Sequence, residues 1–218
     1  MKELLLYSLI LLAFSFFSPT APATKKWIFK KERSGIKVFT RDVEDSNLKE
    51  LKITLQVEAT LSSIATLIAD VPAYQNWVYK CALSKPLQKI DYENSIEYFL
   101  IDFPWPMNDR DLVTRSVLKQ DSITKVLTSV TIGNAQLHPM QPEFIRITDH
   151  INTWTFTPVD EQRVDVIYTL KAHPAGSIPN WLINMVLDQG PVQSMLRFRD
   201  LLKHPDYVNK IYPGVVNY

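Results

Sequence analysis

Side chains alternate between apolar and polar along many short segments of this chain, and this alternation most constrains its fold. The clearest segment is Arg163–Ala172, where Val164, Val166 and Tyr168 share one face and mostly polar side chains occupy the other. Successive side chains of a β-strand point to opposite faces of the sheet, so the pattern predicts a strand with one buried face. Strands are predicted in the same way for Trp27–Lys31, Ile36–Asp42, Leu51–Val57, Ile96–Phe103, Leu112–Leu118, Lys125–Ile132 and Phe144–Phe156.

Helical spacing replaces this alternation in the segment that follows the third predicted strand. Apolar residues recur at helical intervals over Leu61–Ile68, after a capping residue at Thr60 or Ser62 and before Pro72. Hydroxyl side chains accept hydrogen bonds from the first free N–H groups of a helix, and proline cannot continue one. We therefore predict one helix here and a second, shorter helix over Tyr74–Tyr79.

A long apolar stripe closes the chain. Trp181, Met185, Val192 and Leu196 lie on nearly one face of a predicted C-terminal helix, which Gly190-Pro191 is expected to kink. The order of elements is strands, a helical insert, more antiparallel strands and a final helix, which is typical of an α+β fold. A curved antiparallel sheet wrapped around a long helix leaves apolar space between them, so we expect an internal hydrophobic cavity.

The first residues have the three-part composition of a secretory signal peptide. Lys2 precedes the apolar run Leu4–Phe17, then Pro19 follows, and Ala21-Pro22-Ala23 offers small residues to a signal peptidase. A membrane-spanning helix needs about 20 apolar residues, and this run is shorter, so cleavage is favoured over an uncleaved anchor. We expect a protein that is exported, and is therefore periplasmic or secreted. The chain then divides into a signal peptide (1–23), one domain (24–208) and a C-terminal tail (209–218).

Composition and motifs argue against several classes of function. The formal net charge is +1 and no long basic run occurs, so no nucleic acid partner is expected. Cys81 is the single cysteine, which excludes an internal disulfide and favours a buried, inert thiol. The five glycines form no phosphate-binding loop and the four histidines have no metal-binding spacing, so we expect neither a cofactor nor a metal.

One charged cluster and a group of aromatic residues are the candidates for a site. Arg110 lies between Asp109 and Asp111. It is either a charge at a pocket or an arginine held by two carboxylates that fixes the start of a strand, and the two interpretations remain open. The aromatic residues either line a pocket or form ordinary core. They are Trp77, Tyr98, Phe99, Phe103, Trp105, Trp154, Trp181 and Phe198.

Three segments, in order and at suitable separations, resemble the START (steroidogenic acute regulatory protein-related lipid transfer) family. Asp70–Trp77 is similar to the family's helix pair, and Phe103–Val113 is similar to its proline-rich turn followed by Arg-Asp. Gly176–Asn184 opens the last helix as in phosphatidylcholine-transfer-like members. The resemblance covers about residues 27–204 and suggests a bacterial, exported member.

The resemblance implies a helix-grip fold with one lipid or sterol in a tunnel under the C-terminal helix, and no chemistry. Arg110 falls on the family's motif arginine and Trp181 on its helix aromatic. Gly133–Pro142 takes the place of the family's Ω loop, so Leu137 and Met140 are expected to form the gate of the tunnel. The residues expected to bind the ligand are Trp77, Tyr98, Leu100, Arg110, Val113, Trp154, Trp181 and Met185.

One position departs from the phospholipid-binding members. These carry a second arginine further along the strand, where this chain has Ser116, and Arg115 lies one residue earlier. A shift of one residue turns a side chain to the opposite face of a strand unless a bulge corrects the register. The resemblance therefore leaves recognition of a phosphate head group open.

Three functions remain as alternatives. The leading one is an exported lipid-binding or lipid-transfer protein that holds a lipid, fatty acid or sterol-like molecule, works as a monomer and contacts membrane surfaces transiently. The second is a cyclase/aromatase-like or hydrolytic enzyme, which needs an acid–base pair such as Asp102 or His150 with Tyr98. The third is a structural or partner-binding module whose cavity is collapsed. We expect that the protein is not an enzyme.

Overall fold

The computed structural model describes residues 25–43, 49–176 and 178–218, without the side chains of 180–188. The described residues form ten strands and three α-helices. The predicted signal peptide lies outside them. The elements are β1 Ile28–Arg33, β2 Ile36–Asp42, β3 Lys49–Glu58, α1 Leu61–Ala69, α2 Tyr74–Trp77, β4 Cys81–Lys89, β5 Asn94–Ile101, β6 Arg110–Gln120, β7 Leu127–Gly133, β8 Ile145–Ile147, β9 Asp149–Pro158, β10 Arg163–His173 and α3 Asn180–Leu201.

All ten strands belong to one sheet, in which the first three strands lie next to the last strand, β10. The order is β1-β2-β3-β10-β9-β7-β6-β5-β4, with every neighbouring pair along this path antiparallel. The short strand β8 pairs with β6 in parallel. Strand β3 pairs with β10, where Leu55 lies opposite Val166. This large curved antiparallel sheet with a C-terminal helix confirms the predicted α+β fold.

Alternation along the strands decides which face of the sheet carries the core. On β3, Leu51, Ile53, Leu55 and Val57 are buried and the residues between them are more exposed. Directly opposite residues of an antiparallel pair share a face, so the core side chains of β10 join those of β3. The second half of α3 adds Val192, Met195 and Phe198 to this core, and Leu202, which directly follows the helix, adds a fourth buried side chain.

Helix α3 runs without a break through Pro191. Gly190, immediately before the proline, lies against the ring of Tyr79. A Cβ atom at position 190 would stand 3.1 Å from that ring, so glycine is what allows the helix to approach this closely.

Strand β4 is not predicted by the sequence, and one predicted strand divides in two. Strand β4 mixes polar and apolar residues and contains Pro86, next to an irregularity in its pairing with β5. It lies at the edge of the sheet, where a proline removes no hydrogen bond from a second neighbour. The predicted strand Phe144–Phe156 is observed as β8, which pairs with β6, and β9, which pairs with β7 and β10.

The C-terminal tail packs against the domain. The hydroxyl of Tyr212 donates to the carbonyl of Tyr92 at 2.7 Å. The side chain of Asn217 accepts from the backbone N–H of Ser62 in the first turn of α1, at 2.9 Å. The tail therefore caps α1 as well as covering the sheet. None of the helices in the described part of the chain combines the length and the apolar character needed to cross a membrane.

Candidate ligand-binding cavity

A cavity of about 340 Å³ lies between the sheet and α3. Seven strands contribute to its wall, and α3 contributes Gly190, Pro191, Ser194 and Met195. This is the predicted cavity, and its volume is within the range of small-molecule sites, about 300–1,000 Å³. Its apolar and aromatic lining comprises Leu51, Ile53, Tyr74, Trp77, Val78, Tyr79, Phe99, Ile101, Phe103, Leu112, Trp154, Tyr168, Leu170, Ala172, Pro174 and Ile178.

An aromatic cluster supports one part of the wall. The ring centroids of Trp77 and Trp154 are 6.1 Å apart, and both rings contact Phe198 of α3, at 5.4 and 5.3 Å. Tyr168 packs on Trp154 at 4.5 Å. Rings in tilted and stacked contact add to the stability of a core and fix the shape of the wall. The indole N–H of Trp77 is buried and has no hydrogen-bond partner among the described residues.

Glu97 is a buried acid in this mostly apolar wall. Its side chain is 5 % exposed. One carboxylate oxygen accepts from the hydroxyl of Ser95 at 2.7 Å, and the other accepts from Ser116 at 2.8 Å and Thr114 at 3.2 Å. Burial raises the pKa of Glu97, and the three hydroxyl groups act in the opposite direction.

A second polar group continues across the sheet. Thr131 and Ser116 share a hydrogen bond of 2.8 Å, and Thr131 lies opposite Asn152 on β9. The amide nitrogen of Asn152 is 3.1 Å from Nε2 of His150, and the amide oxygen of Asn152 is buried without a partner among the described residues. Burial lowers the pKa of His150 to about 4, so its imidazole is neutral at neutral pH.

Three of the predicted ligand-binding residues lie on the other face of the sheet. The cavity is lined by Phe99 and Leu112, which are directly opposite each other on β5 and β6. The neighbouring pair Tyr98 and Val113 therefore points away from the cavity, as does Leu100, because side chains alternate along a strand. This corrects the placement expected from the sequence for these three residues.

The face that carries Tyr98 is covered by the chain segment between β7 and β8. Arg146 on β8 forms two hydrogen bonds with Asp111 on β6, at 2.8 and 2.7 Å, and both side chains are 1 % exposed. The ring of His138 packs against that of Tyr98 with a centroid distance of 5.5 Å. Asp111 is thus paired with a residue 35 positions away and not with its neighbour Arg110.

The predicted gate lies on this outer face. Arg146 donates to the carbonyl oxygens of Ala135, His138 and Pro139 at 3.0–3.1 Å, which holds the segment against β6. Leu137 and Met140 are exposed, Met140 by 62 %, and neither lines the cavity. The expectation that Gly133–Pro142 closes the cavity is therefore corrected, because this segment covers the opposite face of the sheet.

Arg110 is buried beside the cavity but is not part of its lining. Its guanidinium donates to the carbonyls of Asn108, Pro174 and Ala175 and stacks on the ring of Phe103, 4.0 Å from the centroid. Burial lowers its pKa, while the nearby Asp109 raises it. Arg110 is therefore neither a charge in the cavity lining nor an arginine held by two carboxylates, the two interpretations from the sequence. Instead, it connects the loop that carries Phe103 with the loop that carries Pro174.

Those two loops form part of the cavity wall at its more exposed side. Phe103 comes from the loop between β5 and β6, and Pro174 and Ile178 come from the segment between β10 and α3. Trp105, two residues after Phe103, is 91 % exposed. Lys49 also lines this side, is exposed, and pairs with Asp42 at 2.5 Å.

The remaining predicted residues divide into two groups. Trp77 and Trp154 line the cavity. Trp181 and Met185 belong to residues 180–188, whose side chains lie outside the described part of the structure. Cys81 also lines the cavity, and burial raises the pKa of its thiol to about 11. In the described residues, no three His, Cys, Asp or Glu side chains are grouped so that they could hold a metal ion.

Sequence reasoning missed Glu97, the most distinctive polar residue of the wall. A signal was present, because Glu97 is the one charged residue in the otherwise apolar and aromatic run from Ile96 to Ile101. A charge in the middle of such a strand is unusual unless it faces solvent or a site. The alternation could not indicate which face it occupies, since apolar residues stand on both faces of β5.

The fold and the cavity define a class of protein: a curved antiparallel sheet closed by a long C-terminal helix around an apolar interior. Within that class, a match to a family model identifies the family. The family model described as START domain matches residues 17–206, and the chain belongs to this family.

Two relatives and two solved structures illustrate the similarity. An uncharacterized protein of Pseudomonas aeruginosa is 27 % identical over 173 residues, which are 79 % of this chain and 85 % of that protein. Phosphatidylcholine transfer protein of Rattus norvegicus is 27 % identical over 186 residues, 81 % of this chain and 82 % of that protein.

Among solved structures, a STAR-related lipid transfer protein from Xanthomonas axonopodis superposes with a TM-score of 0.75 at 29 % identity, covering 82 % of this chain and 99 % of that one. Human StAR-related lipid transfer protein 5 superposes with a TM-score of 0.72 at 14 % identity, covering 84 % and 88 %. The second similarity concerns the fold alone.

Proposed function

We propose that this protein binds one hydrophobic lipid-like molecule in the cavity between the sheet and α3 and carries it as a lipid-binding or lipid-transfer protein. The observation that carries the proposal is the cavity itself, with its aromatic and aliphatic walls and one small polar region around Glu97. Removing apolar surface from water contributes roughly 25 cal/mol per Å², so a chain or ring system gains affinity without any catalytic step. Membership of the START domain family and similarity to proteins named for lipid transfer support it.

The test is native mass spectrometry of the protein purified from its own compartment, followed by identification of the molecule that dissociates. We expect one amphiphile per chain. A protein that is empty in every preparation and takes up no lipid from vesicles of phosphatidylcholine and phosphatidylethanolamine would contradict the proposal. A collapsed cavity, as in a purely structural module, would give this second result.

The same proposal assigns no catalysis to the cavity. An enzyme of the cyclase type needs an acid and a base that face one ligand. His150 lines the cavity, but Tyr98 lies on the opposite face, and Asp102 forms a salt bridge with Lys80 outside the lining. These positions support a carrier. Recovery of a chemically altered ligand after incubation with polyketide-like or ester substrates would favour the enzyme instead.

We further propose that the carrier works outside the cytoplasm, after removal of residues 1–23. The support is the order of Lys2, the apolar run Leu4–Phe17 and Ala21-Pro22-Ala23 in the sequence. N-terminal sequencing of exported protein is expected to begin at Thr24. Retention of Leu4–Phe17 in a membrane fraction would refute cleavage.

Contact with a membrane surface, by a monomer, is the last part of the proposal. Trp105 is 91 % exposed and stands two residues from Phe103 in the cavity wall. Tryptophan is favoured at the boundary between lipid and water. We expect Trp105→Ala to weaken sedimentation with phosphatidylglycerol vesicles, whereas Ile123→Ala, at an equally exposed position on the β6–β7 turn, should leave it unchanged. Equal effects of the two substitutions would count against this contact.

A further inference from the structure

The register of the sheet shows where the cavity ends on its inner side. One row of neighbouring side chains on β3, β10 and β9 lines the cavity: Ile53, Tyr168 and Trp154. The next row, two residues further along each strand, consists of described residues that are buried and do not line the cavity: Leu55, Val166, Phe156 and, on β7, Leu127. The cavity therefore stops at the row formed by Ile53, Tyr168 and Trp154, which we call the floor.

Trp154 is held in the floor by aromatic rings on several sides. Its ring is stacked on Phe156 and on Phe198, with centroid distances of 5.6 and 5.3 Å. It also contacts Trp77 and Tyr168. Protein interiors are packed as densely as organic crystals, so a ring with such neighbours does not move without displacing them. A ligand that enters the cavity therefore meets a fixed end at Trp154.

The strands also give the depth of the cavity. Lys49 at the exposed side and Ile53 in the floor are four residues apart on β3, and His150 and Trp154 have the same separation on β9. A strand rises about 3.3 Å per residue, so the floor lies about 13 Å from the exposed side. An alkyl chain with bonds of about 1.5 Å and angles of about 111° advances about 1.25 Å per carbon. An extended chain that follows the strands thus places about ten carbons between the exposed side and the floor.

The volume of the cavity leads to the same number. A water-sized group occupies about 30 Å³, so a space of about 340 Å³ holds about eleven carbon atoms. Two chains of about ten carbons each would need roughly 600 Å³. The depth and the volume therefore agree on one chain of this length.

We infer that the cavity takes a ligand with a single alkyl chain of about ten to twelve carbons, and that Trp154 sets this length. This inference rests on the proposed function and specifies its ligand class. Carbons beyond this length remain in water at the exposed side and add no affinity, because only apolar surface removed from water contributes. The second chain of a two-chain lipid has no space in the cavity, and forcing it into a packed interior is unfavourable.

The first test measures chain length with the wild-type protein. Linear alcohols from hexanol to hexadecanol are delivered from a cyclodextrin, and their binding is measured by isothermal titration calorimetry. Each methylene group that leaves water strengthens binding by about fourfold. We expect this gain for every carbon up to decanol or undecanol and a plateau beyond dodecanol. This result requires no variant, so it does not depend on whether a substitution impairs folding.

The second test compares one chain with two. Monododecanoylglycerol and didodecanoylglycerol share the same uncharged polar group and the same chain, and differ in the number of chains. We expect the first to bind at least about tenfold more tightly than the second, which is the scale of overfilling a packed interior.

Trp154→Leu removes the indole from the floor. The row behind the floor is about 6.6 Å further along the strands, so we expect the plateau to move by about two to four carbons towards longer alcohols. Phe156→Leu is the matched control, because it removes a neighbouring ring of the same cluster that does not line the cavity. It should lower stability and leave the plateau where it is in the wild-type protein.

The results separate the inference from the proposed function. Affinity that continues to rise through hexadecanol, or equal binding of the two glycerol esters, overturns the single short chain and leaves the carrier function intact. A plateau that shifts equally in Trp154→Leu and Phe156→Leu, or in neither, overturns the assignment of the length limit to Trp154. Failure of all the alcohols and both esters to bind overturns the proposed function and the inference together.

Discussion

Replacing Arg146 with methionine removes the charge that balances Asp111 while keeping much of the length of the side chain. The two groups are joined by hydrogen bonds of 2.8 and 2.7 Å and are each 1 % exposed, so the carboxylate would remain buried and unpaired. Removing one partner of a buried ion pair typically costs about 3–5 kcal/mol. Three carbonyl groups of the covering segment also lose a donor. We expect the free energy of unfolding to fall by about 3–5 kcal/mol for Arg146→Met.

Urea unfolding, followed by tryptophan fluorescence, measures this loss. Arg163→Met is the control, because its salt bridge with Asp160 is about half exposed and should contribute less than about 1 kcal/mol. Combining Arg146→Met with Asp111→Leu should recover much of the loss, since the unpaired carboxylate is then absent. A loss below about 1 kcal/mol for Arg146→Met alone would refute the account of a buried, mutually dependent pair.

Three further predictions concern the cavity wall. Leu170→Trp should fill part of the cavity and reduce the amount of ligand bound, whereas Leu137→Trp on the outer segment should not; equal binding by both variants would count against the cavity as the site. Cys81, with a pKa of about 11, should react with iodoacetamide far more slowly at neutral pH than a free cysteine, and more slowly still with ligand bound; rapid reaction would place the thiol in water. His150 has a pKa of about 4 in the folded protein and about 6.5 when unfolded, so the unfolded chain binds more protons between these values. Stability should therefore fall as the pH decreases from 6.5 to 4, and a slope unchanged in His150→Gln would assign that fall to other groups.

The sequence predicts the position and the buried face of a strand where one face is buried and the other is exposed to solvent. Strands β2, β3 and β10 show that alternation, and their positions and buried faces follow from it. Strand β5 does not, because the segment before β8 packs on Tyr98 while Phe99 faces the cavity. With apolar residues on both faces, the periodicity cannot distinguish the cavity wall from the outer layer, which explains why the sequence-based prediction for Tyr98 is wrong.

Long-range pairing limited the prediction of the polar residues. The local sequence suggests that Arg110 pairs with a neighbouring aspartate, but successive side chains on a strand point apart, and Asp111 instead meets Arg146. Nothing in the sequence around Arg146 indicates that partner, since it depends on the parallel pairing of β8 with β6. The misplacement of the gate has the same cause, because Arg146 holds the segment that contains Leu137 on the outer face.

Because β3 pairs with β10, the sheet cannot be completed during biosynthesis until β10 has been synthesised. Gln56 and Asp165, whose side chains share a hydrogen bond of 2.8 Å across these strands, are 109 residues apart in the chain. Until β10 has been synthesised, the first three strands form a ribbon whose β3 edge has no partner, and such edges pair readily with other chains. A nascent or truncated chain that ends before Arg163 therefore exposes an unpaired, aggregation-prone strand edge. The yield of folded protein depends on the time that passes before β10 pairs with this edge.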